Sequence, residues 1–189
     1  FRSTDNKKCM AMYRKLKITE LNRISVEAFK EADKLPLVVV LDNVRSLHNI
    51  GSVFRTSDAF RVECICLCGI TAVPPHAEIH KTALGAEDTV DWKYYQNTVD
   101  AVDELKQNGY TVFSIEQAEG STMLDKWEMD RNKKYAIVFG NEVKGVEQEV
   151  INHSDGCIEI PQYGTKHSLN VSVTAGIVIY ECANRLMNK

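Results

Sequence analysis

The sequence predicts an α/β domain built on a mostly parallel sheet flanked by helices. Three observations predict it. Short apolar runs rich in β-branched residues recur without polar alternation, among them Leu37–Leu41 (LVVVL) and Tyr135–Phe139 (YAIVF), which is the mark of strands buried on both faces. Segments with helical spacing separate these runs, and strands that alternate with helices argue for a parallel sheet. Three of the runs also end in polar, glycine-bearing turns, within Leu41–Arg61, Ile137–Val146 and Ile158–Asn170. Open α/β sheets bind ligands outside the carboxyl ends of their strands.

Taken in order, Met12, Leu16, Ile18, Leu21, Ile24, Val26 and Phe29 follow helical spacing, so one or two amphipathic helices are expected within residues 8–34. Pro36 stops them and biases the residue before it toward extended backbone. Residues 1–34 then read as a basic helical segment or linker, and residues 35–189 as the main domain. Leu37–Leu41 is the first strand, Gly51–Phe60 a helix, Glu63–Cys68 the second strand, Thr71–Pro75 a loop and Ala77–Leu84 a short helix. Thr89–Tyr95 reads as the third strand and Val99–Gln107 as a helix, closed by Asn108-Gly109 as a C-cap. Tyr110–Ile115 and Tyr135–Phe139 are the fourth and fifth strands, Val146–Ile151 a short helix and Cys157–Ile160 the sixth strand. Ser168–Leu186 is the last helix, with Ser168 as its N-cap.

The three turns carry specific residues: Asn49 and, six positions on, Arg55; the turn Gly140-Asn141-Glu142; and Ser168-Leu169-Asn170-Val171-Ser172. In this order and spacing they resemble the three motifs of the knotted SPOUT methyltransferases of the TrmH branch, over roughly residues 36–188. The resemblance implies a C-terminal deep trefoil knot, S-adenosyl-L-methionine as cofactor with S-adenosylhomocysteine as product, and methylation of a ribose 2′-hydroxyl in RNA. It implies catalytic roles for Arg55, Asn49, Glu142, Ser168 and Asn170. Arg55 would grip the target phosphate and the developing alkoxide, Asn49 would fix Arg55 and the loop, and Glu142 would orient Arg55, Asn49 or the RNA backbone. Gly140, Asn141, Glu142, Ile160, Ser168, Leu169 and Asn170 would hold the cofactor, Ile160 and Leu169 forming an apolar wall for adenine. The D-loop guanosine of tRNA is the first substrate implied; a ribosomal RNA ribose, or a catalytically silent RNA-binding scaffold of the same fold, is the alternative. A homodimer is implied too, and Ile177, Ile179 and Tyr180 are more apolar residues than one helix face needs. His48 and His167 read as loop histidines with structural or solvent roles.

The formal net charge of −3 is unusual for an RNA partner, and it divides unevenly: residues 1–34 carry nine Lys/Arg and five Asp/Glu, the rest 14 and 21. Attraction to RNA must then come from a local patch, expected at Arg45, Arg55, Lys144, Lys166 and the segment Lys7–Lys17. The polar, basic start does not read as a secretory leader, and from the initial Phe1 an upstream region of a longer chain is expected. No run approaches the ~18 apolar residues of a membrane span. Cys64, Cys66 and Cys68 alternate on one strand, so they share a face and read as small buried hydrophobes. Reduced thiols imply an intracellular protein, cytoplasmic or nuclear. No metal is expected: CxCxC is a poor zinc spacing, and His76-Ala77-Glu78-Ile79-His80 has its Glu misplaced for HExxH. Neither GxGxxG after a strand nor GxxxxGK[ST] occurs.

Overall fold

The computed structural model of the protein describes residues 13–187. In chain order its elements are α1 (Val26–Glu31), β1 (Leu35–Asp42), α2 (Leu47–Ala59), β2 (Val62–Cys68), α3 (Ala77–Ala83), α4 (Ala86–Thr89), β3 (Trp92–Tyr95), α5 (Thr98–Gln107), β4 (Tyr110–Ile115), β5 (Thr122–Met123), β6 (Lys134–Phe139), α6 (Gln148–His153), β7 (Gly156–Glu159) and α7 (Val171–Met187). The seven strands form one sheet in the order β3-β2-β1-β6-β4-β7-β5, and every pairing in it is parallel. All carboxyl ends therefore lie along one edge. From β1 the chain moves outward through β2 and β3, then crosses to the other side, so the strand order reverses between β1 and β6.

Both faces of the sheet are covered. Leu35, Leu37, Val39 and Leu41 of β1, with Ile65 and Leu67 of β2, pack with Phe29 of α1, Ile50, Val53 and Phe54 of α2, Ile79 of α3, and Ala175, Val178, Ile179 and Cys182 of α7. Val38, Val40, Cys66, Cys68, Ala136 and Val138 point the other way, against Ala101, Val102 and Leu105 of α5 and Val150 of α6. A strand with both faces covered must be apolar throughout, which is why β1 and β6 read as unbroken hydrophobic runs. Cys64, Cys66 and Cys68 share the second face as expected, Cys64 only half-buried. Burial pushes the Cys68 thiol up to about 12, with the nearby Asp42 carboxylate adding to it. The five described cysteines are free thiols; Cys9 lies outside the described residues.

Several expected boundaries shift. The helical expectation for residues 8–34 holds only for α1 and a 3-10 turn at Ile18–Glu20. Asn22, at φ 48, breaks the backbone between them, and Leu16, Ile18, Leu21, Ile24 and Val26 stay exposed, leaving Phe29 as the anchor. Met12 and the residues before it lie outside the described part. The first-motif helix begins at Leu47, not Gly51, because Ser46 caps it and accepts the Asn49 N–H; Gly51 sits inside it, where a Cβ would collide with the Ile79 carbonyl and the Thr82 hydroxyl of α3. The third strand begins at Trp92, not Thr89, because Gly85 opens the one-turn α4 and Thr89 Oγ1 donates to Asp58 Oδ1 at 2.6 Å. Helix α6 starts at Gln148 rather than Val146, and the short strand β5 carries no apolar run to announce it. Ile179 is fully buried in the core; Ile177 and Tyr180 are exposed, along with Val173 and Met187 on the same side of α7. Among the described residues no helix is long and apolar enough to cross a membrane.

Candidate active site

The carboxyl ends of β1 and β6, at the reversal of strand order, are tied together by side chains. Asp42 is fully buried at the end of β1. Its carboxylate accepts the Thr98 hydroxyl at 2.5 Å, the Asn43 amide at 3.0 Å and the Glu147 N–H at 3.0 Å, which offsets the cost of burying it. Asn43 takes a left-handed turn, φ 53, and its Oδ1 accepts the Ile70 N–H. After β6 the chain folds into a tight turn. Asn141 and Gly145 exchange backbone hydrogen bonds at 3.0 and 2.9 Å. Asn141 Oδ1 accepts the Val143 and Lys144 N–H groups, and its Nδ2 donates to the Asn43 carbonyl at 2.7 Å. Gly140 has no room for a side chain: a Cβ would collide with the Gly145–Val146 backbone.

This turn presents Glu142 to the first motif. Its Oε2 accepts the Arg45 N–H at 2.9 Å; its Oε1 accepts the Ser46 N–H at 2.9 Å and Asn49 Nδ2 at 3.1 Å. Partial desolvation is the largest influence on this carboxyl and favours protonation. The N–H groups of Arg45 and Ser46, its own N–H and the Asn49 amide together outweigh that and hold it below the usual carboxylate range. Asn49 uses its other end for the third motif, its Oδ1 accepting Asn170 Nδ2 at 3.2 Å. Asn170 in turn caps α7: its Oδ1 accepts the Ser172 N–H at 2.9 Å and the Ser172 hydroxyl at 2.6 Å, and its carbonyl accepts the Thr174 N–H. A continuous chain of hydrogen bonds thus runs from the Arg45–Ser46 backbone through Glu142 and Asn49 to Asn170 and the head of α7.

Four of the expected site residues meet here: Asn49, Glu142 and Asn170 directly, and Asn141 through the turn. Ser168 does not cap α7, because Asn170 supplies the cap. Ser168 and Leu169 instead belong to an exposed loop, residues 162–170. Ile160 is half-buried against the core at the root of that loop. Arg55 stands apart. It is exposed and has no hydrogen-bond or ion-pair partner among the described residues, so the expectation that Asn49 fixes it is not met. Six residues along a helix is ~9 Å of axial rise and well over a full turn, which carries Arg55 away from Asn49. His48 pairs with Glu78 at 3.0 Å, outside the network.

The sequence reading missed Asp42 and Ser46, which build this site, and Glu116 and Gln117, which lie beside it. The spacing Ser46-x-x-Asn49 is a capping signal that would have placed Ser46. Glu116 and Gln117 follow β4 with no periodic or motif signal, and only their place at a strand's carboxyl end distinguishes them.

Residues 36–180 match the model of the SpoU rRNA methylase family. A Staphylococcus saprophyticus protein assigned by name to the TrmH family of tRNA/rRNA methyltransferases is 36% identical over 152 residues, which are 80% of this chain and 60% of the relative. The chain thus spans about 60% of the length of the curated relatives it matches. Among solved structures, a TrmH/SpoU tRNA modifying enzyme of A. aeolicus superimposes with a TM-score of 0.74 at 29% identity, over 85% of this chain and 81% of that one. An AdoMet-bound rRNA methyltransferase of Sinorhizobium meliloti gives a TM-score of 0.74 at 27% identity, over 85% of this chain and 61% of that one. With its all-parallel sheet and the three motif turns joined at the carboxyl edge, the chain belongs to the SpoU rRNA methylase family.

Proposed function

We propose that the protein is an RNA methyltransferase that carries a methyl group from S-adenosyl-L-methionine to a ribose 2′-hydroxyl. The observation that carries this reading is the Glu142–Asn49–Asn170 chain, which locks the three motif loops into one constellation at the reversal of strand order. The residues fit the cofactor. Ile160 and Leu169 offer an apolar wall, and among the described residues the only hydrogen bond made by Gln162–Leu169 is the one received by the His167 carbonyl, so the loop's other backbone groups remain for adenine and ribose. A mostly apolar pocket with a few fixed polar groups is the usual pattern. When bound, the cofactor supplies an electrophilic methyl on its sulfonium.

The chain's own residues then have two tasks. Asn49, Glu142 and Asn170 hold the loops that fix the methyl carbon near the 2′-oxygen, and positioning of that kind supplies ~7–11 kcal/mol of a barrier. Arg55 binds the phosphate and 2′-oxygen of the target nucleotide and stabilises the developing alkoxide as the hydroxyl proton passes to solvent water. Arg45, Arg55, Lys144 and Lys166 are all exposed, and among the described residues none is ion-paired through its side chain, which suits them to neutralise RNA phosphates. A homodimer completes the reading: Val173, Ile177, Tyr180 and Met187 form an exposed apolar stripe on α7, at the spacing of a helix–helix seam. A second copy there lies beside α2, the helix that carries Arg55.

Residues from 35 onward form the catalytic unit on this reading, and the preceding basic segment is an appended RNA-facing arm. The motif wording is similar to that of the C-terminal methyltransferase domain of the eukaryotic TAR RNA-binding protein and of enzymes that methylate the D-loop guanosine of tRNA, which makes that nucleotide the substrate we infer. The free thiols, three of the five described being buried, suit an intracellular site. Transfer of tritiated methyl from S-adenosyl-L-methionine to separate tRNA and ribosomal RNA pools, with mapping of the product, tests all of this. Label at a 2′-O-methylguanosine of the tRNA D-loop is expected; label only in ribosomal RNA replaces the substrate, and cofactor binding with no transfer to either pool makes the protein a scaffold.

A further inference from the structure

The three-loop network braces the site from the β1 side. A second brace comes from the β4 side and belongs to no motif. Glu116 follows β4 directly. Its N–H extends the ladder to β7 by donating to the Ile158 carbonyl at 3.1 Å, and its carbonyl accepts the Cys157 thiol at 3.3 Å. That fixes its backbone and sends its carboxylate toward the β6 turn, where Oε2 accepts the Val146 N–H at 3.0 Å. The carboxylate lies directly over Gly145, φ 70, and a Cβ at that position would collide with it. Glu116 Oε1 accepts the Gln117 N–H at 2.8 Å. Gln117 then reaches the opposite wall: its Nε2 donates to the His167 carbonyl at 2.6 Å. One dipeptide therefore holds the Gly140–Val146 turn with one side chain and the Gln162–Asn170 loop with the next.

We propose that Glu116 and Gln117 are positioning residues that set the gap between these two loops, and hence the affinity for S-adenosyl-L-methionine, without taking part in methyl transfer. This rests on the reading of the gap as the cofactor site. The Gln117 bond is the only hydrogen bond made by Gln162–Leu169 among the described residues, so apart from the Asn170–Asn49–Glu142 link at the loop's end, nothing else of that kind fixes the loop's distance from the turn. Gln117 is itself exposed, so its replacement leaves the core untouched.

The test is isothermal titration with S-adenosylhomocysteine, which reads the site without turnover, alongside KM for S-adenosyl-L-methionine and kcat on tRNA. Gln117→Ala and Gln117→Glu both remove the donor and are expected to weaken binding and raise KM about tenfold, the worth of one hydrogen bond, with kcat at saturating cofactor and the melting temperature unchanged. Gln117→Lys keeps a donor on a chain long enough to reach the His167 carbonyl and is expected to recover most of the affinity. Glu116→Ala, which removes one tie on the turn, is expected to act in the same direction. Wild-type binding with unaltered affinity in Gln117→Ala and Gln117→Glu overturns the positioning role alone, as does a loss in kcat with no change in KM. No heat from the wild type overturns the cofactor reading and this inference with it.

Discussion

Asn49 and Asn170 meet amide to amide, 3.2 Å apart, at the heads of two helices that lie side by side; further along the same pair, Phe60 and Tyr180 close it edge to face, their centroids 5.9 Å apart. The site is thus one end of a packed helix pair, and its polar groups inherit the rigidity of the apolar contact below them.

Asn170 serves the cap of α7 and the bond to Asn49 at once, and two substitutions separate these roles. Asn170→Ala removes both and is expected to cost ~1 kcal/mol of stability, the typical worth of an N-cap, and to weaken S-adenosylhomocysteine binding. Asn170→Asp keeps an acceptor for the Ser172 N–H but has no donor for Asn49, so stability should stay near wild type while binding falls. Urea denaturation and isothermal titration, run on both variants, check this. Equal binding in Asn170→Asp and the wild type would falsify the link between the two asparagines and the cofactor.

Glu142 gives a pH signature. Because its hydrogen-bond donors lower its folded pKa, its ionised form contributes stability above the unfolded carboxylate value of ~4.3, and that contribution is lost as pH falls through the lower folded value. The stability difference between wild type and Glu142→Gln is therefore expected to be constant around neutrality and to shrink only below about pH 4. Denaturation midpoints across that range measure it; a difference that grows on acidification contradicts the assignment.

Arg55 should behave as a catalytic group with no structural duty. It is exposed and unpartnered among the described residues, so Arg55→Ala is expected to shift stability by no more than ~0.5 kcal/mol, leave cofactor affinity intact and abolish methyl transfer. Arg55→Lys is not expected to rescue transfer, because the planar fork and not charge alone matches phosphate geometry. Single-turnover methylation with saturating cofactor decides this.

The α7 stripe makes the oligomeric state testable. Light scattering at micromolar concentration is expected to give a dimer, and Ile177→Arg, at an exposed position, a monomer with an unchanged far-ultraviolet spectrum. Loss of methylation with retained S-adenosylhomocysteine binding in that variant would place part of the catalytic machinery across the interface; a wild-type monomer rules the dimer out.

The sheet was legible from residue chemistry because burial on both faces leaves no polar positions to blur the pattern, as β1 and β6 show. Tyr110–Ile115 appears with the bounds the sequence suggested. Helix starts were less legible, most of all where a polar side chain decided them. Ser46 moved α2 forward, Asn170 moved α7 back, and Thr89 went into a helical turn through its bond to Asp58. In the site, Asn49, Asn141, Glu142 and Asn170 come together, whereas Ser168 and Leu169 stay in the exposed loop and Arg55 stands apart, its placement depending on helix phase and not on spacing in the chain. Glu116 and Gln117 were invisible because their partners are backbone groups far away in sequence, and such partners leave no local pattern.

The pairing of Val39 with Ile65 on one side and Ile137 on the other also sets the course of folding. The β1–β2 contact closes a short crossover, whereas β1–β6 must wait for most of the domain to be made. Until then the most apolar strand of the molecule presents a bare edge, with unpaired amides along a hydrophobic ribbon, the kind of surface that invites association with other chains. Contacts of such long sequence separation slow folding. During synthesis the nascent chain carries this adhesive half-sheet for as long as the ribosome takes to add the later strands, so the demand for chaperone protection falls on that interval.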